Sequence, residues 1–384
     1  MSTIHQPYRV IISGGGTGGH IYPAIAIANA LRSIEKDVEI LFVGAQGRME
    51  MQKIPEAGYR IEGLWISGIQ RKLTTDNLAF PLKLASSVSR SFSILADFRP
   101  DVAVGVGGFA SGPLLYAASL KKVPALLQEQ NSYAGLTNKM LANQVQRVCV
   151  AHHGMEKFFP KEKIIFTGNP IRQDIVAMAQ EGLAKRRTEA MEYFGLSAEK
   201  PTLLVVGGSL GARTLNTSVL ASVNKLTAQG IQVIWQSGKT SYQEMETKLN
   251  AIDNKEGIQL REFLTRMDLA YAASDVVVSR AGALAISELA LVEKPVIFVP
   301  SPNVAEDHQR KNAEALVKED AALMVLDHEA SASLIDQAIA LLNNPSRQQV
   351  LQQNLGQLAR PDAAQRIAQE VLALAKISQP TTAK

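Results

Sequence analysis

The sequence has little cysteine, few aromatic residues and no dense run of like charge. Cys149 is the only cysteine in 384 residues, which excludes an internal disulfide and suits a reducing compartment. Its apolar setting predicts a buried strand thiol rather than a nucleophile. Aromatic residues make up 5% of the chain and are not interleaved with lysine and arginine runs, which argues against nucleic-acid binding. Spaced Cys/His sets, H-E-x-x-H and G-x-x-x-x-G-K-[ST] are all missing, so no metal centre is predicted.

An uninterrupted apolar segment of membrane-spanning length is missing too. Residues 102–120 carry no charge and are long enough to cross a bilayer, but glycine and proline break them into strand, loop and helix. The first residues lack the basic-then-apolar pattern of a signal peptide. A hydrophobic content of 46% and a charged content of 20% are typical of a globular protein. The formal net charge of +4 suits anionic partners such as nucleotides and phospholipid head groups.

Short runs typical of β-strands alternate with runs of helical period along the whole chain. At ~150 residues per domain, the length predicts about two domains. The predicted strands are 8–13, 38–43, 102–106, 125–128, 147–151 and 164–167, then 202–206, 231–236, 258–261, 276–279, 296–299 and 323–325. The predicted helices include 21–34, 81–97, 114–120, 212–226 and 364–377, with a polar helical run over 172–196. This alternation predicts an α/β fold with doubly wound parallel sheets, whose ligands bind at the carboxyl ends of strands.

Two strand–glycine turn–helix units open the two halves of the chain. The first contains Ser13–His20, which reads S-G-G-G-T-G-G-H, and the second contains residues 207–211. Such a turn brings backbone N–H groups and a helix N-terminus to one spot, which favours phosphate. Gly14, Gly16 and Gly19 also match a dinucleotide-binding pattern. That pattern needs an acid at the tip of the second strand, whereas Glu39 lies at its start, so the dinucleotide interpretation loses its main support.

His20 closes the first glycine loop and has two interpretations. It could cap or pack the turn. Alternatively, the positive end of the helix would lower its pKa and keep the imidazole neutral, which suits a general base beside a phosphate-lined cleft. The adjacent histidines His152 and His153 are interpreted as structural.

A second constellation runs from Ser279 to Glu288. Residues 283–287 open a helix after a small-residue turn and would present N–H groups to an anion. Glu288 would make a bidentate contact to ribose hydroxyls, or it could merely complement the helix dipole, which is worth ~0.3–1 kcal/mol. The polar loop 301–312 could read sugar hydroxyls. Its Glu306, Asp307 and His308 could suggest a metal, but adjacent residues rarely converge on one ion.

A loop near residues 71–84 mixes basic and apolar side chains. Its candidate exposed residues are Leu73, Leu78, Phe80 and Leu82. The helix that follows already has a core face in Leu84, Val88, Phe92 and Leu95. Basic residues beside apolar ones are typical of a membrane interface, and local core packing is the alternative.

Together the motifs resemble the MurG family in order and spacing over almost the whole chain. They are 14–20, 107–113, 130–131, 168–172, 207–213 and 283–288. The resemblance implies a GT-B fold of two Rossmann-like domains facing a cleft. It implies an N-terminal acceptor and membrane-side domain of residues 1–171, a UDP-sugar domain of residues 172–360, and a last helix in 361–384 that returns to the first. It implies inverting transfer of N-acetylglucosamine from UDP-N-acetylglucosamine to the C4 hydroxyl of the N-acetylmuramoyl unit of lipid I, giving lipid II.

The resemblance also implies roles for individual residues. The residues implied at the donor are Thr17, Gly18, Gly19, Asn131, Arg172, Ser209, Leu264, Ala283, Leu284, Ala285, Ile286, Ser287, Glu288 and Gln309. Those implied in acceptor binding or proton removal are His20, Phe109 and Glu129. Three departures weaken individual side-chain roles, because Ala285 and Phe109 lack hydroxyl groups frequent in the family and Arg310 stands where a second glutamine is frequent.

The implied partners are UDP-N-acetylglucosamine, lipid I, the membrane surface and proteins of cell-wall synthesis, at the cytoplasmic face of the cell membrane. No cofactor, essential metal or nucleic acid is expected. Two alternatives stay open. A UDP-N-acetylglucosamine 2-epimerase would share the fold but isomerise the donor without a lipid acceptor, and a scaffold would bind nucleotide without turnover.

Overall fold

The computed structural model describes residues 7–68, 79–208, 211–304 and 307–378. The chain divides into two compact units. The first consists of Met1–Arg172 and Arg360–Lys384, and the second of Gln173–Ala359. Each unit contains one sheet in which every described strand pairing is parallel. The two sheets confirm the predicted α/β class.

The first unit contains a sheet of seven strands in the order β3-β2-β1-β4-β5-β6-β7. The strands are β1 Arg9–Gly14, β2 Glu39–Ala45, β3 Arg60–Leu64, β4 Val102–Gly107, β5 Ala125–Glu129, β6 Arg147–Val150 and β7 Ile164–Phe166. The helices between them are α1 Gly18–Ile34, α2 Glu50–Glu56, α3 Phe80–Phe98, α4 Ser111–Leu120 and α5 Leu136–Leu141, with 3-10 turns at Met155–Lys157 and Lys161–Lys163.

The second unit contains a sheet of six strands in the order β10-β9-β8-β11-β12-β13. The strands are β8 Thr202–Val206, β9 Gln232–Gln236, β10 Ile258–Arg261, β11 Val276–Ser279, β12 Val296–Phe298 and β13 Leu323–Met324. The helices are α6 Gln173–Glu181, α7 Leu183–Phe194, α8 Arg213–Ala221, α9 Val223–Ala228, α10 Tyr242–Asn250, α11 Met267–Ala273, α12 Ala283–Leu291, α13 His308–Lys318, α14 Ala330–Leu342 and α15 Pro345–Gly356, with a 3-10 turn at Asp327–Glu329.

Burial on both faces explains why the strands read as continuous apolar runs. In β1, Val10 and Ile12 belong to one core cluster, while Ile11 between them belongs to the cluster on the other face, as the two-residue period of a strand requires. Cys149 is buried in β6, and burial raises the pKa of its thiol to about 12. This is the inert strand thiol that its setting predicted.

The last helix, α16 (Ala363–Ser378), packs against α1 in the first unit. Its buried residues Ile367 and Val371 share a core cluster with Val10. Among the helices of the described residues, none combines the length and the apolar character needed to cross a membrane.

Strand β3 was not predicted from the sequence. Its residues, R-I-E-G-L, include two charges and a glycine, which hide the apolar pattern of an edge strand. The polar run 172–196 forms two helices, because Gly182 between them has a φ of 91°. The predicted helix 212–226 is likewise divided, at Ser222.

Helix α3 is rotated relative to the predicted core face, although Leu95 is buried as predicted and Phe92 packs against the core. Leu84, expected in the core, is 39% exposed, and the buried positions of the first two turns are Lys83 and Ser87. The Lys83 ammonium donates to Ser67 Oγ at 3.1 Å, and the Ser87 hydroxyl donates to the Trp65 carbonyl at 3.0 Å. Polar contacts to the chain that leaves β3 therefore set the rotation of α3.

Candidate functional site

The strand order reverses once in each sheet, between β1 and β4 in the first unit and between β8 and β11 in the second. Open α/β sheets bind ligands outside the carboxyl ends of strands at such a reversal. In the first unit these ends lead into the loop 14–20 and the loop 107–112. In the second they lead into Gly207 and Gly208, which begin the predicted glycine turn, and into the turn 280–282. The motifs singled out in the sequence thus lie where each sheet is expected to bind.

His20 lies in the first turn of α1, with its ring over the start of the second loop. Its Nδ1 atom is 3.0 Å from the Gly15 carbonyl oxygen, and a Cβ at Gly107 would lie 2.8 Å from Nε2. Phe109 is 45% exposed, and its ring edge comes within 3.9 Å of a Cβ built on Gly16. His20 and Phe109 are thus brought to one loop cluster, together with the α1 start at Thr17, Gly18 and Gly19.

The second strand is followed by an acid that sequence reasoning missed. Glu50, in the first turn of α2, is 1% exposed. Its carboxylate accepts the N–H of Gly16 at 2.9 Å and that of Ala45 at 3.0 Å. Because both oxygens bond to the protein's own backbone, Glu50 does not present itself to a ribose. The rejection of a dinucleotide site is consistent with this geometry.

The carboxylate of Glu129 is surrounded by hydrogen-bond donors. Its side chain is buried, and Oε1 accepts from the backbone N–H of Asn131 at 3.0 Å and from its side-chain amide at 3.3 Å. Oε2 accepts from the N–H of Gly135 at 3.0 Å and from Asn138 Nδ2 at 2.8 Å. Four donors on one carboxylate give Glu129 a structural role, and its assignment to proton removal stays a prediction. It fixes the loop after β5 and orients Asn131.

We expect Glu129→Gln to lower the free energy of unfolding by about 2–4 kcal/mol. The amide nitrogen would face N–H donors in place of an acceptor, which leaves buried donors unsatisfied. Urea unfolding measures the change, with Glu162→Gln, an exposed residue of the same unit, as the matched control. Unchanged stability together with lost turnover would return Glu129 to a chemical role.

A buried amide network lies beneath these loops. Gln130 Nε2 donates to the Val106 carbonyl at 2.6 Å and to Gln128 Oε1. Gln128 Nε2 donates to Asn169 Oδ1 at 3.1 Å, and Asn169 Nδ2 donates to the Gln130 carbonyl at 3.1 Å. The network ties the ends of β4 and β5 to the chain that leaves β7. It explains the motif pairs 130–131 and 168–169 as a scaffold under the site.

His152 and Arg172 lie at the margin of this scaffold. Burial lowers the pKa of His152 to about 4, and its contact with the Gln130 carbonyl opposes that shift, so the ring is neutral at physiological pH. The ring of His153 stacks on Phe166 at 4.0 Å. Arg172 is half-buried, and its guanidinium carbon is 6.0 Å from the centre of the Tyr22 ring in α1.

In the second unit, α12 begins directly after the turn 280–282. Gly282 is its N-cap, and Ile286 donates the first intrahelical bond, to the Gly282 carbonyl at 3.0 Å. The amides that precede this bond, and can point at an anion, are those of Ala283, Leu284 and Ala285. The Ile286 side chain is buried, and the Ser287 hydroxyl donates to the Ala283 carbonyl at 3.0 Å, so the predicted donor contacts of these two residues stay predictions.

Glu288 is buried in α12 beside a residue that sequence reasoning missed. The hydroxyl of Tyr271, itself buried in α11, donates to Glu288 Oε2 at 3.0 Å. A carboxylate buried at the sixth position of a helix is too deep and too specifically bonded to act only on the helix dipole, whose effect is confined to the first turn. Tyr271 gives no sequence signal, because an aromatic residue in a short apolar helix predicts only core packing.

Asp327 joins the turn 280–282 to the first turn of α8. Its Oδ1 pairs with Arg280 Nη1 at 2.5 Å, and its Oδ2 accepts from Thr214 Oγ1 at 2.8 Å. Arg280 Nη1 also donates to the carbonyls of Val299 and Pro300 at 2.9 and 3.2 Å. Ser209, which precedes α8 in the sequence, lies outside the described residues.

Leu264 and Gln309 border the same edge of the second sheet. The Leu264 amide donates to Gln236 Oε1 at 2.9 Å, so its carbonyl is the backbone group that a base could contact. Gln309 Oε1 accepts the Ser301 N–H at 2.9 Å, which leaves its amide nitrogen as the group for sugar hydroxyls. Arg310 pairs with Glu314 on the exposed side of α13 at 2.7 Å. Within the described residues, no cluster of three or more His, Cys, Asp or Glu side chains has a metal-binding arrangement, and Glu306 lies outside them.

Both units of the chain match domains of one known protein family. Residues 10–150 match the glycosyltransferase family 28 N-terminal domain, and residues 202–367 match the glycosyltransferase family 28 C-terminal domain. The chain belongs to glycosyltransferase family 28.

Two relatives and one solved structure show which members of the family the chain is similar to. The chain is 56% identical, over 95% of its length and 96% of the relative's, to the UDP-N-acetylglucosamine--N-acetylmuramyl-(pentapeptide) pyrophosphoryl-undecaprenol N-acetylglucosamine transferase of Cytophaga hutchinsonii. It is 52% identical to the protein of the same name from Parabacteroides distasonis, over 96% of this chain and 98% of that one. The crystal structure of Acinetobacter baumannii MurG superposes with a TM-score of 0.73 at 28% identity, covering 96% of this chain and all of that one.

Proposed function

We propose that this protein transfers N-acetylglucosamine from UDP-N-acetylglucosamine to the C4 hydroxyl of the N-acetylmuramoyl unit of lipid I, with inversion at the anomeric carbon. The observation that carries the proposal is the 56% identity to a transferase of that name over nearly the full length of both chains. The membership in a glycosyltransferase family favours transfer over the epimerase and scaffold alternatives.

The donor is assigned to the second unit. The amides of residues 283–285 and the glycine turn 207–211 would hold the diphosphate, because helix N-termini stabilise the charge that develops on a departing anion. Glu288, held by Tyr271, would accept the ribose hydroxyls. The Leu264 carbonyl would accept the uracil N–H, and Gln309 would read the sugar. Thr17, Gly18, Gly19, Asn131, Arg172 and Ser209 keep their proposed donor contacts.

The acceptor is assigned to the loops of the first unit. His20 would accept the proton of the C4 hydroxyl, and the exposed ring of Phe109 would contact the acceptor sugar. Oxygen attack on the anomeric carbon breaks the bond to UDP, so the electron pair leaves with the diphosphate and the proton goes to His20. No resident metal or cofactor is part of the proposal.

A lipid acceptor requires contact with a membrane surface, which we assign to α3, α4 and α5 of the first unit. Leu82 is 69% exposed, and Phe80 is partly buried against a core cluster of this unit. Leu73 and Leu78 lie outside the described residues. Helix α3 contacts α4, and α4 contacts α5. Their other exposed apolar residues are Leu84, Tyr116, Leu120, Leu136 and Met140.

Lysines accompany these apolar side chains. Lys121 lies 5.9 Å from the centre of the Phe92 ring, and Lys139 lies 4.7 Å from that of Tyr133. Cations beside interfacial aromatic residues favour anionic lipid surfaces. This face supports a peripheral location at the cytoplasmic side of the cell membrane, where partners in cell-wall synthesis would meet the enzyme.

We expect the double variant Leu82→Glu/Leu84→Glu to bind phosphatidylglycerol vesicles about tenfold or more weakly, because each buried leucine contributes roughly 1.5–3 kcal/mol and the added carboxylates repel anionic lipid. Co-sedimentation measures the loss. The matched control is Val350→Glu/Leu358→Glu, which changes two exposed apolar residues of the second unit. Equal losses in both variants would refute the assigned surface.

The proposed reaction is tested with radiolabelled UDP-N-acetylglucosamine, with and without lipid I. The proposal expects label in a lipid product only when lipid I is present. Isomerised donor without lipid I would support the epimerase, and donor binding without turnover would support the scaffold.

A further inference from the structure

The Gly15–Gly16 peptide group is bonded at both of its polar ends. Its N–H, on Gly16, donates to the buried carboxylate of Glu50 at 2.9 Å. Its carbonyl, on Gly15, lies 3.0 Å from His20 Nδ1. A carbonyl can only accept, so Nδ1 carries the hydrogen of this bond. A carboxylate, a peptide group and an imidazole therefore form one hydrogen-bonded chain.

The glycines at positions 15 and 44 leave the space that the Glu50 side chain occupies. A Cβ on Gly15 would lie 2.2 Å from Glu50 Oε1, and a Cβ on Gly44 would lie 2.6 Å from its Cγ. Side chains at either position would push the carboxylate away from the Gly16 amide. The glycines at these two places thus leave room for an inward-pointing acid as well as for a turn.

The chemistry of the chain of bonds gives the carboxylate a direction of action. A hydrogen bond from an amide to a charged oxygen is about twice as strong as a neutral one, and it polarises the peptide so that the carbonyl at its other end accepts more strongly. A stronger acceptor for the Nδ1 hydrogen stabilises the tautomer that is protonated at Nδ1. In that neutral ring, Nε2 carries the lone pair. Nε2 is the atom beside Gly107.

We propose that Glu50 is a positioning residue that acts through the Gly15–Gly16 peptide to hold His20 in the Nδ1–H tautomer, with Nε2 as the proton acceptor. The role of Nε2 as proton acceptor rests on the proposed function, whereas the assignment of the tautomer does not. It also assigns the Gly16 amide to an internal anion, so this amide does not serve a substrate phosphate.

The tautomer can be read in the unmodified protein. Histidine labelled with ¹⁵N distinguishes a protonated from an unprotonated ring nitrogen by chemical shift, and His20→Gln identifies the His20 signals among the six histidines. We expect protonated Nδ1 and unprotonated Nε2 at pH 8. The opposite tautomer would overturn the proposal whether or not the protein transfers sugar.

Glu50→Gln tests the link to turnover. Its amide offers one neutral oxygen in place of two charged ones, so the bond to the Gly16 N–H is either lost or weakened, and His20 would show both tautomers. We expect kcat to fall about 10–100-fold, a part of the 10²–10⁴-fold that general-base catalysis supplies, with the KM for UDP-N-acetylglucosamine within about twofold of its original value.

The matched control is Glu39→Gln, which removes an exposed carboxylate from the start of β2 and should leave kcat and the tautomer unchanged. Unchanged kcat in folded Glu50→Gln would refute the link, as would an equal loss of donor affinity. If Glu50→Gln does not fold, Gly15→Ala, which presses on Oε1, must show the same mixed tautomer. If the wild type yields no lipid product, the proposed function fails while the tautomer measurement still decides the role of Glu50.

Discussion

His20→Ala should reduce kcat by about 10²–10⁴-fold, the range that general-base catalysis contributes, while the affinity for UDP-N-acetylglucosamine stays near its original value. The donor is assigned to the second unit, and His20 belongs to the loop cluster of the first. Removing a group that acts only in the transition state lowers kcat and kcat/KM by the same factor. Steady-state kinetics with varied donor, together with calorimetric titration of UDP, separates the two quantities.

The control for this prediction is His328→Ala, whose side chain is 77% exposed in the second unit. It removes the same chemical group from a surface position and should leave both constants unchanged. Full turnover in His20→Ala would show that the proton goes elsewhere. A parallel loss of UDP binding would indicate that the substitution disturbs the fold rather than the proton transfer.

Glu288→Gln should raise the KM for UDP-N-acetylglucosamine by about 10–100-fold. A hydrogen bond to a charged group is worth about 1.5–3 kcal/mol, and 1.4 kcal/mol corresponds to a factor of ten. The substitution preserves the shape of the side chain and an oxygen for the Tyr271 hydroxyl, so the core around α11 and α12 should stay intact. The loss should therefore report on the ribose and not on packing.

A donor with 2′-deoxyribose or 3′-deoxyribose makes this test specific. If Glu288 accepts from that hydroxyl, the wild type should lose affinity for the deoxy donor, and Glu288→Gln should lose little more. Additive losses would show that the carboxylate contacts something else. Tyr271→Phe should give a smaller effect in the same direction, because it removes only the group that orients Glu288. Glu244→Gln, an exposed acid paired with Lys248 in α10, is the control.

The positions of the loops at the carboxyl ends of the strands could be predicted from the sequence because their signals are local. A short apolar run followed by glycines and a helical pattern marks the carboxyl end of a parallel strand, and this placed the loops that follow β1 and β8. The signal for each loop therefore lies within a few residues of the strand that precedes it. Strand β3 escaped because Glu62 and Gly63 interrupt its apolar pattern, and the rotation of α3 then escaped with it, since Lys83 and Ser87 bond to the segment after that strand.

The roles of the acids could not be predicted, because they depend on contacts between distant parts of the chain. Glu50 follows β2 in sequence, but its partner Gly16 is 34 residues away. Glu129 sits in a motif that the family resemblance associates with the acceptor, yet the donors around it include Asn138, nine residues further on. Neither spacing has a periodic signature. A carboxylate's role depends on how many donors surround it, which only the folded chain reveals.

The docking of α16 has a consequence for synthesis on the ribosome. The first unit lacks Ile367, Val371 and Leu374 of its core until nearly the whole chain has emerged, whereas Gln173–Ala359 forms its unit from a continuous stretch. Each of these side chains contributes roughly 1.5–3 kcal/mol when buried, against about 5–15 kcal/mol for a whole domain. The unit that begins first is thus completed last, and a nascent chain exposes the α1 side chains that α16 covers until the second unit has been made.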